Sequence, residues 1–116
     1  MATFTKVKLS GSTNGRGIAV VSTTAGSCTT IHAAHATALD EIWLYAANID
    51  STARILTVEF GGTTATSDYI QQSIAVTPSG LVLVCAGLIL TGSVTVTAFA
   101  AAASKIELFG FVNRIA

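Results

Sequence analysis

The amino-acid sequence predicts a single all-β domain, an antiparallel, jelly-roll-like β-sandwich of eight or nine short strands. Apolar and polar residues alternate with a period of two along most of the chain, which is the pattern of strands with one buried face. Turn residues recur at roughly ten-residue intervals, and the connections are too short for crossover helices, so neighbouring strands should be antiparallel. The chain has 116 residues, enough for one domain and too few for two, and we predict one domain over residues 1–116.

Five strands are predicted in the first half of the chain, each bounded by small or turn-forming residues. The cluster at residues 11–17 contains an Asn-Gly pair and is predicted as a turn. The Ala-rich stretch at residues 33–38 could be a loop or a single helical turn. The polar segment at residues 48–54 is predicted as a tight connection, so that the strands on either side of it form a hairpin. The five strands are predicted at residues 4–9, 18–21, 28–32, 41–47 and 55–60.

The second half of the chain is also predicted as strands. A Pro-containing turn is expected at residues 77–80. The most hydrophobic region begins at Leu81, but its uninterrupted apolar run ends at Leu90, whereas a membrane-spanning helix needs about 20 apolar residues. The residues that follow alternate again and many are β-branched, so we predict strands and no membrane contact. The predicted strands lie at residues 69–76, 94–98 and 106–112, and two further apolar runs lie at 81–84 and 88–90 on either side of Gly87.

Charged residues are unusually rare in this sequence. They make up 10% of the chain, against about 25% in typical soluble domains, and six basic residues balance six acidic ones. A folded chain of this size exposes about 5,900 Å², so there is about one charge per 500 Å² of surface. Because no Lys/Arg cluster exceeds Lys6 and Lys8, we predict no direct contact with nucleic acid. The many Thr and Ser residues can keep such a surface soluble, but nineteen Ala and the sparse charge indicate that neighbouring subunits cover part of it.

Few residues could carry out catalysis or bind a metal. His32 and His35 form an H-x-x-H pair without a third ligand at a defined spacing, and we interpret them as loop histidines that face solvent or a neighbouring subunit. Asp40 and Glu41 are adjacent in a predicted strand, so their side chains should point to opposite faces and cannot readily act together. The chain contains no nucleophile elbow, phosphate-binding loop or zinc-protease motif. We predict no enzyme activity, no cofactor and no metal site.

The two cysteines, Cys28 and Cys85, give no redox or metal signal. Their spacing is not that of a C-x-x-C motif, and lone thiols of this kind more often pack as small apolar side chains. A single disulfide between them stays open, because spacing alone does not decide it.

Aromatic residues supply the main candidate contact surface. Trp43 and Tyr45 share one face of their predicted strand, Phe109 and Phe111 share one face of theirs, and each pair has a glutamate beside it. Such a pair suits a subunit interface or a sugar-stacking surface, and we favour burial in the fold or between subunits. The small residues Ala98 and Ala100 to Ala103 would allow another backbone to approach closely, either at a contact between subunits or in a packed inner strand. The candidate interface residues are Phe4, Trp43, Tyr45, Ala100, Ala102, Phe109 and Phe111.

Two long segments carry a resemblance to a known class of proteins. The stretch DEIWLYAANIDSTARILTVEFGG and the later stretch SGLVLVCAGLILTGSVTVTAFAAAASKIELFGFVNRI resemble small structural proteins encoded beside the capsid gene of tailed bacteriophages. The shared features are a hairpin with a polar turn, strands rich in Val, Leu and Thr, and a terminal Gly-Phe-Val-Asn-Arg-Ile. The resemblance covers most of the chain after Asp40, and the opening LSGSTNGRGI adds to it.

The resemblance implies a head decoration (cement) protein with a jelly-roll or related β-fold. Such a protein is made in the host cytoplasm, forms a homo-oligomer, here expected to be a trimer, and lies on the capsid surface of the virion. There it bridges neighbouring major capsid protein subunits against the pressure of packaged DNA. No functional residue is carried over, because the resemblance contains no functional-site motif. Two alternatives stay open: a tail, adaptor or head–tail joining subunit, and a carbohydrate- or host-surface-binding module that uses Trp43 and Tyr45.

Overall fold

The protein folds as two antiparallel β-sheets, as a computed structural model that describes residues 2–25, 28–75 and 81–116 shows. Within these ranges there are nine strands and no helix, so the predicted all-β class is confirmed. The strands are β1 (Phe4–Lys8), β2 (Ile18–Ala19), β3 (Thr29–Ala33), β4 (Leu39–Asn48), β5 (Arg54–Phe60), β6 (Tyr69–Ile74), β7 (Val82–Leu90), β8 (Thr95–Ala100) and β9 (Ile106–Ile115).

The strand pairs are nested around the connection between β5 and β6. β5 pairs with β6, β4 with β7, and β3 with β8, while both β1 and β2 pair with β9. Two further pairings, β4 with β9 and β5 with β8, join these pairs into a five-stranded and a four-stranded sheet. The strand orders are β1-β9-β4-β7, with β2 beside β9, and β3-β8-β5-β6. The two sheets pack face to face as a β-sandwich.

Apolar side chains from the inner faces of both sheets fill the core. In β4 every second residue from Ile42 to Ala46 is buried, and the residues between them are half-buried on the outer face. This alternation follows from the two-residue repeat of an extended strand and is the one that the sequence predicts. The Leu, Ile and Val side chains that are fully buried among the described residues are Leu9, Val20, Ile31, Ile42, Leu44, Leu56, Val58, Ile74, Val96, Ile106, Leu108 and Val112.

The predicted hairpin between residues 41–47 and 55–60 is wrong. These residues belong to β4 and β5, which lie in different sheets. The segment between them crosses from one sheet to the other, and Asn48 anchors the crossing by donating its side-chain amide to the carbonyl oxygens of Thr52 and Ile74. Strands that face each other across a core and strands that pair edge to edge both show an apolar residue at every second position. The sequence pattern therefore could not distinguish the two arrangements.

Smaller differences concern the ends of strands. β2 spans Ile18–Ala19 only, and residues 34–38 form a loop without a helical turn. The two apolar runs on either side of Gly87 form one strand, β7, whose pairing with β4 shifts register at two places. The predicted turn at residues 77–80 lies outside the described residues.

Candidate functional site

The outer face of the five-stranded sheet carries four aromatic side chains on its two central strands. β4 and β9 pair so that Trp43 lies opposite Phe111 and Tyr45 lies opposite Phe109. The rings of Trp43 and Phe111 are parallel within 8°, and their centroids are 6.2 Å apart. All four side chains are half-buried, so each ring keeps part of its surface open to solvent. We call Trp43, Tyr45, Phe109 and Phe111 the aromatic face.

Two of these rings lie against glycines of neighbouring segments. The Trp43 indole covers Gly87 in β7, where an added Cβ atom would come within 3.0 Å of the ring. The Phe109 ring covers Gly17, just before β2, where a Cβ atom would come within 2.7 Å. A glycine beneath an aromatic ring lets the ring lie down on the sheet and shield its backbone. Trp43 and Phe109 therefore lie over backbone that carries no side chain.

Polar side chains form a rim at one end of the aromatic face. Glu41 Oε1 accepts hydrogen bonds from Trp43 Nε1 at 2.8 Å and from Asn113 Nδ2 at 3.0 Å. Both hydrogen bonds lower the pKa of Glu41, and the bond from the Trp43 indole has the larger effect. Lys6 Nζ lies 4.8 Å from the centroid of the Phe111 ring, a cation–π distance. An aromatic centre with a polar rim of mixed charge is the anatomy of a protein-contact surface.

Strand β7 extends the aromatic face with aliphatic side chains. Leu83, Ala86 and Ile89 lie on the same side of the sheet, because they are paired with outward-facing residues of β4. Leu83 is 46% exposed and Ile89 is 51% exposed. No residue of β7 is charged, and in the described part of the chain no strand pairs with its outer edge. We call the aromatic face together with Leu83, Ala86 and Ile89 the outer apolar surface.

Gly87 supports the position of the Trp43 ring, and its replacement by Ala tests this. Gly87 has a φ of +68°, so Gly87→Ala is expected to lower the free energy of unfolding by about 1–2 kcal/mol through left-handed backbone strain. The new methyl group should also displace the indole. Trp43 is the only tryptophan, so its fluorescence emission should shift to longer wavelength.

Gly15→Ala is the matched control, because Gly15 has a φ of +81° and no neighbouring atom within 4 Å of an added Cβ. It should reduce stability similarly in urea unfolding and leave the Trp43 emission unchanged. If the emission of Gly87→Ala were also unshifted, the position of the Trp43 ring over Gly87 would be contradicted.

The other predicted interface residues lie elsewhere in the fold. Phe4 is 72% exposed at the start of β1, opposite Ile115. Ala100 is 1% exposed, and its small side chain packs in the core of the sandwich. Ala102 is half-buried in the turn between β8 and β9. The structure thus places only the four aromatic residues of β4 and β9 side by side.

A buried polar network, which the sequence did not reveal, lies between the two sheets. Asp40 in β4 is fully buried, and both of its carboxylate oxygens accept hydrogen bonds from the Arg114 guanidinium, at 2.7 and 2.9 Å. His32 Nε2 in β3 lies 2.8 Å from Asp40 Oδ2, and the His35 amide donates to the same oxygen at 3.2 Å. The interpretation of His32 as a solvent-facing loop histidine is wrong, since it is buried against a carboxylate that needs donors. His35 lies exposed in the loop after β3.

The electrostatics of this network favour an ionised Asp40. Burial alone would raise the pKa of Asp40, but hydrogen bonds from Arg114, His32 and the His35 amide outweigh it and lower the pKa from 3.8 to about 2. His32 Nδ1 accepts a hydrogen bond from the Ser10 amide at 3.0 Å, so the ring proton is on Nε2. Nε2 then donates a hydrogen bond to Asp40. The carboxylate is therefore charged and surrounded by donors.

This network resembles a Ser-His-Asp triad in composition only. In a catalytic triad the serine hydroxyl bonds to one ring nitrogen of the histidine and the carboxylate bonds to the other. Here Ser10 gives its backbone amide to the ring, while its hydroxyl accepts a hydrogen bond from the Ala33 amide at 2.7 Å. The network links β3 of one sheet to β4 and β9 of the other.

Two further ionisable groups, Glu59 and Cys85, are buried in the described part of the chain. Glu59 is fully buried in β5; its Oε1 accepts a hydrogen bond from Thr97 Oγ1 at 2.8 Å, and Oε2 has no partner among the described residues. Burial and the nearby charge of Glu59 raise the pKa of Tyr69. Burial raises the pKa of the Cys85 thiol, and no disulfide joins Cys85 to Cys28. In residues 2–25, 28–75 and 81–116, no group of three His, Cys, Asp or Glu side chains could hold a metal.

A groove of about 560 Å³ borders the aromatic face beside Phe109. It lies between the turn at residues 11–17 and strand β9, and Arg16, Thr13 and Glu107 also line it. One guanidinium, one carboxylate and the edge of one aromatic ring can bind a polar ligand, such as a sugar. They do not supply the paired carboxylates that glycoside hydrolysis requires.

Comparison with protein-family models, with curated proteins and with solved structures found no match for this chain. No helix long and apolar enough to cross a membrane occurs in the portion of the chain that the structure describes. The residues and geometry above therefore provide the basis for a functional conclusion.

Proposed function

We propose that this protein is a non-enzymatic structural subunit of a tailed-bacteriophage particle, a head decoration protein. It associates with itself and bridges neighbouring major capsid protein subunits on the outside of the head. The observation that carries the proposal is the outer apolar surface. Binding hot spots are rich in Trp and Tyr and lie in an apolar centre beside a polar rim, and this surface has an aromatic centre with polar side chains at one end.

The distribution of charge supports a protein partner. Asp40 and Glu59 are buried, so four acidic and six basic residues share a surface of 5952 Å², a density well below that of an ordinary soluble domain. Charged residues are also distributed unevenly among the edge strands. The edge strand β1 carries Lys6 and Lys8, whereas β6 and β7, at the opposite ends of their sheets, carry no charged residue. Such uncharged edges are less costly to desolvate when another protein covers them.

The strand order supports the proposal independently of the surface. A jelly roll is a two-sheet sandwich of eight strands that contains two Greek keys. The nested pairs β5·β6, β4·β7, β3·β8 and β1·β9, with β2 continuing alongside β9 beyond the end of β1, correspond to that plan, and we include the jelly roll in the proposal. The fold that the sequence resemblance implies for decoration proteins is of the same kind.

The proposed mechanism is mechanical. The buried Asp40 network ties the two sheets together, so the sandwich transmits force as a rigid unit. A rigid subunit that contacts two capsid proteins adds buried interface between them. Outward pressure from packaged DNA must then disrupt these additional contacts before the shell can open.

Particles of the phage that encodes this chain provide the test. We expect purified heads to contain the protein in a fixed ratio to the major capsid protein, measured by quantitative mass spectrometry. Heads that lack it should release DNA at a lower temperature and burst at a smaller osmotic shock. Adding back the purified protein should restore resistance, while adding Tyr45→Lys protein, which carries a charge in the aromatic face, should not.

Finding the protein somewhere other than the head would distinguish the alternative functions. Presence in tails and absence from heads would replace the decoration role by that of a tail or joining subunit. Absence from the whole particle would overturn the virion assignment.

A carbohydrate-binding role is the second candidate, and the groove beside Phe109 is the observation that favours it. Tyr45 lies opposite Phe109, so the groove and the aromatic face are continuous and could seat a sugar against aromatic rings. In that case Trp43→Ala and Arg16→Ala should each abolish binding on a glycan array. Incorporation into particles should be unaffected by both substitutions.

A further inference from the structure

We infer that the outer apolar surface binds a second copy of this chain, with the five-stranded sheets of the two copies packed face to face. A two-fold axis runs parallel to the strands, between β9 and β4. This inference rests on the proposed function in one respect, namely that copies of the chain associate. It adds the surface that they use and the symmetry that relates them.

The aromatic side chains are arranged so that they complement themselves under this symmetry. Rotation about the axis places β9 of one copy over β4 of the other. Trp43 and Phe111 are paired across these strands, as are Tyr45 and Phe109, so every ring meets a ring of the opposite strand in the second copy. Interfaces with two-fold symmetry require such a self-complementary patch.

The charges of the rim are also compatible with a second copy. The same rotation places β1 over β7 of the other copy, so Lys8 faces Ala86 and Lys6 faces Ile89, and neither lysine meets another lysine. Glu41 faces Asn113 of the second copy, and that amide is a hydrogen-bond donor. Like charges that face each other across an interface oppose association, and the paired residues of these four strands place none opposite each other.

The area of the face is sufficient for a specific contact. Four strands about 4.8 Å apart and about eight residues long, at about 3.4 Å per residue, give a face of about 500 Å² per copy. Two copies bury about 1,000 Å² together, the lower limit for a specific interface. Aligned sheet packing keeps the strands of the two sheets within about 30° of each other, as inside a sandwich.

Pairing through the edge of β7 is the competing arrangement, and the structure disfavours it. The pairing of β7 with β4 shifts register between Ile42 and Trp43 and again between Leu44 and Tyr45. Gly87 adds a left-handed residue near the first of these shifts. Such bulges twist an edge strand away from a regular ladder and protect it from pairing with another edge. The aromatic face has no such irregularity, because β4 and β9 pair without a register shift.

The mass of the purified protein in solution tests the stoichiometry. Sedimentation equilibrium is expected to give twice the chain mass of 11.8 kDa. Tyr45→Lys should weaken dimerisation by at least about a hundredfold, because it places an unpaired charge in the apolar centre. Ile55→Lys is the matched control, since Ile55 is 54% exposed on the four-stranded sheet, and it should leave the dimer intact.

Substitutions of Ala86 test the symmetry. Ala86 is exposed, so both Ala86→Lys and Ala86→Glu should fold, as circular dichroism can verify. Ala86→Lys faces Lys8 of the second copy and should raise the dissociation constant about threefold to tenfold, whereas Ala86→Glu should lower it or leave it unchanged. Adding Lys8→Glu to Ala86→Lys should restore the wild-type constant. Equal effects of Lys and Glu at position 86 would overturn the proposed arrangement.

The test of the two-fold pairing can fail or succeed independently of the test of the proposed function. A monomer or a trimer in solution would overturn the two-fold pairing, and the trimer is the state that the sequence resemblance implies. Incorporation into particles is measured without reference to solution mass. A dimer that is absent from particles would overturn the virion role and leave the pairing in place.

Discussion

Replacing Asp40 by Asn is expected to lower the free energy of unfolding by about 3–5 kcal/mol, because it removes the only negative charge of a buried network. Arg114 and His32 would then keep their donors without an ionised acceptor. Urea unfolding followed by Trp43 fluorescence measures the loss. The stability of small domains is only about 5–15 kcal/mol in total, so this substitution should leave the fold marginal.

The neighbouring residue provides the control for this prediction. Glu41→Gln changes the same chemical group one position along β4, but on the half-buried outer face, where solvent screens the charge, and it should cost much less than Asp40→Asn. A loss in Asp40→Asn no larger than that in Glu41→Gln would show that the network contributes little to stability.

The dependence of stability on pH should identify Asp40 as the source of the effect. The pKa of Asp40 is lowered from 3.8 to about 2 in the folded state, so its contribution is present above pH 3.8 and is lost as the pH falls through about 2. The lowering corresponds to about 2 kcal/mol of stability. Other carboxylates also titrate in this range, so the relevant quantity is the difference between the wild type and Asp40→Asn. This difference should shrink between about pH 4 and pH 2.

Replacing Gly110 by Ala is expected to have the second large effect, a loss of about 3 kcal/mol or more. Gly110 lies in β9 opposite Leu44, and a Cβ atom there would overlap the carbonyl oxygen of Trp43 in β4. The overlap is with backbone, which cannot move aside as a side chain does. The strands β4 and β9 would therefore have to separate at the centre of the five-stranded sheet. Thermal unfolding by circular dichroism measures the loss.

Gly92→Ala separates this steric effect from backbone strain. Gly92 has a φ of +73° and nothing within 4 Å of an added Cβ, so its replacement should cost only about 1–2 kcal/mol. Gly110 has an ordinary φ, and strain does not contribute there. A smaller loss at Gly110 than at Gly92 would contradict the close approach of β4 to β9.

The two predictions concern the interior, whereas the proposed function depends on the outside of the same strands. In β4 the inward-facing Asp40, Ile42 and Leu44 stabilise the sandwich, and the outward-facing Trp43 and Tyr45 form the contact surface. Substitutions on the two faces should therefore have separable effects. Inner-face variants should lose stability, and Tyr45→Lys should lose association while the chain stays folded.

The sequence by itself determined the fold class and the sidedness of the clearest strands. Strict alternation in β4 requires that Ile42 and Leu44 point one way and Trp43 and Tyr45 the other, because successive residues of a strand face opposite sides. The same local rule places Phe109 and Phe111 together on β9. These predictions need no knowledge of which strands are neighbours.

Only the tertiary structure decided which strands pair and what lies beneath the surface. A two-residue repeat is identical for strands that pair and for strands that face each other, so the hairpin of β4 with β5 was predicted wrongly. The Asp40 network joins residues as far apart in sequence as Asp40 and Arg114, and no local pattern marks them. The aromatic face likewise exists because β4 and β9, distant in the chain, are hydrogen-bonded in a register that brings their outward-facing rings side by side.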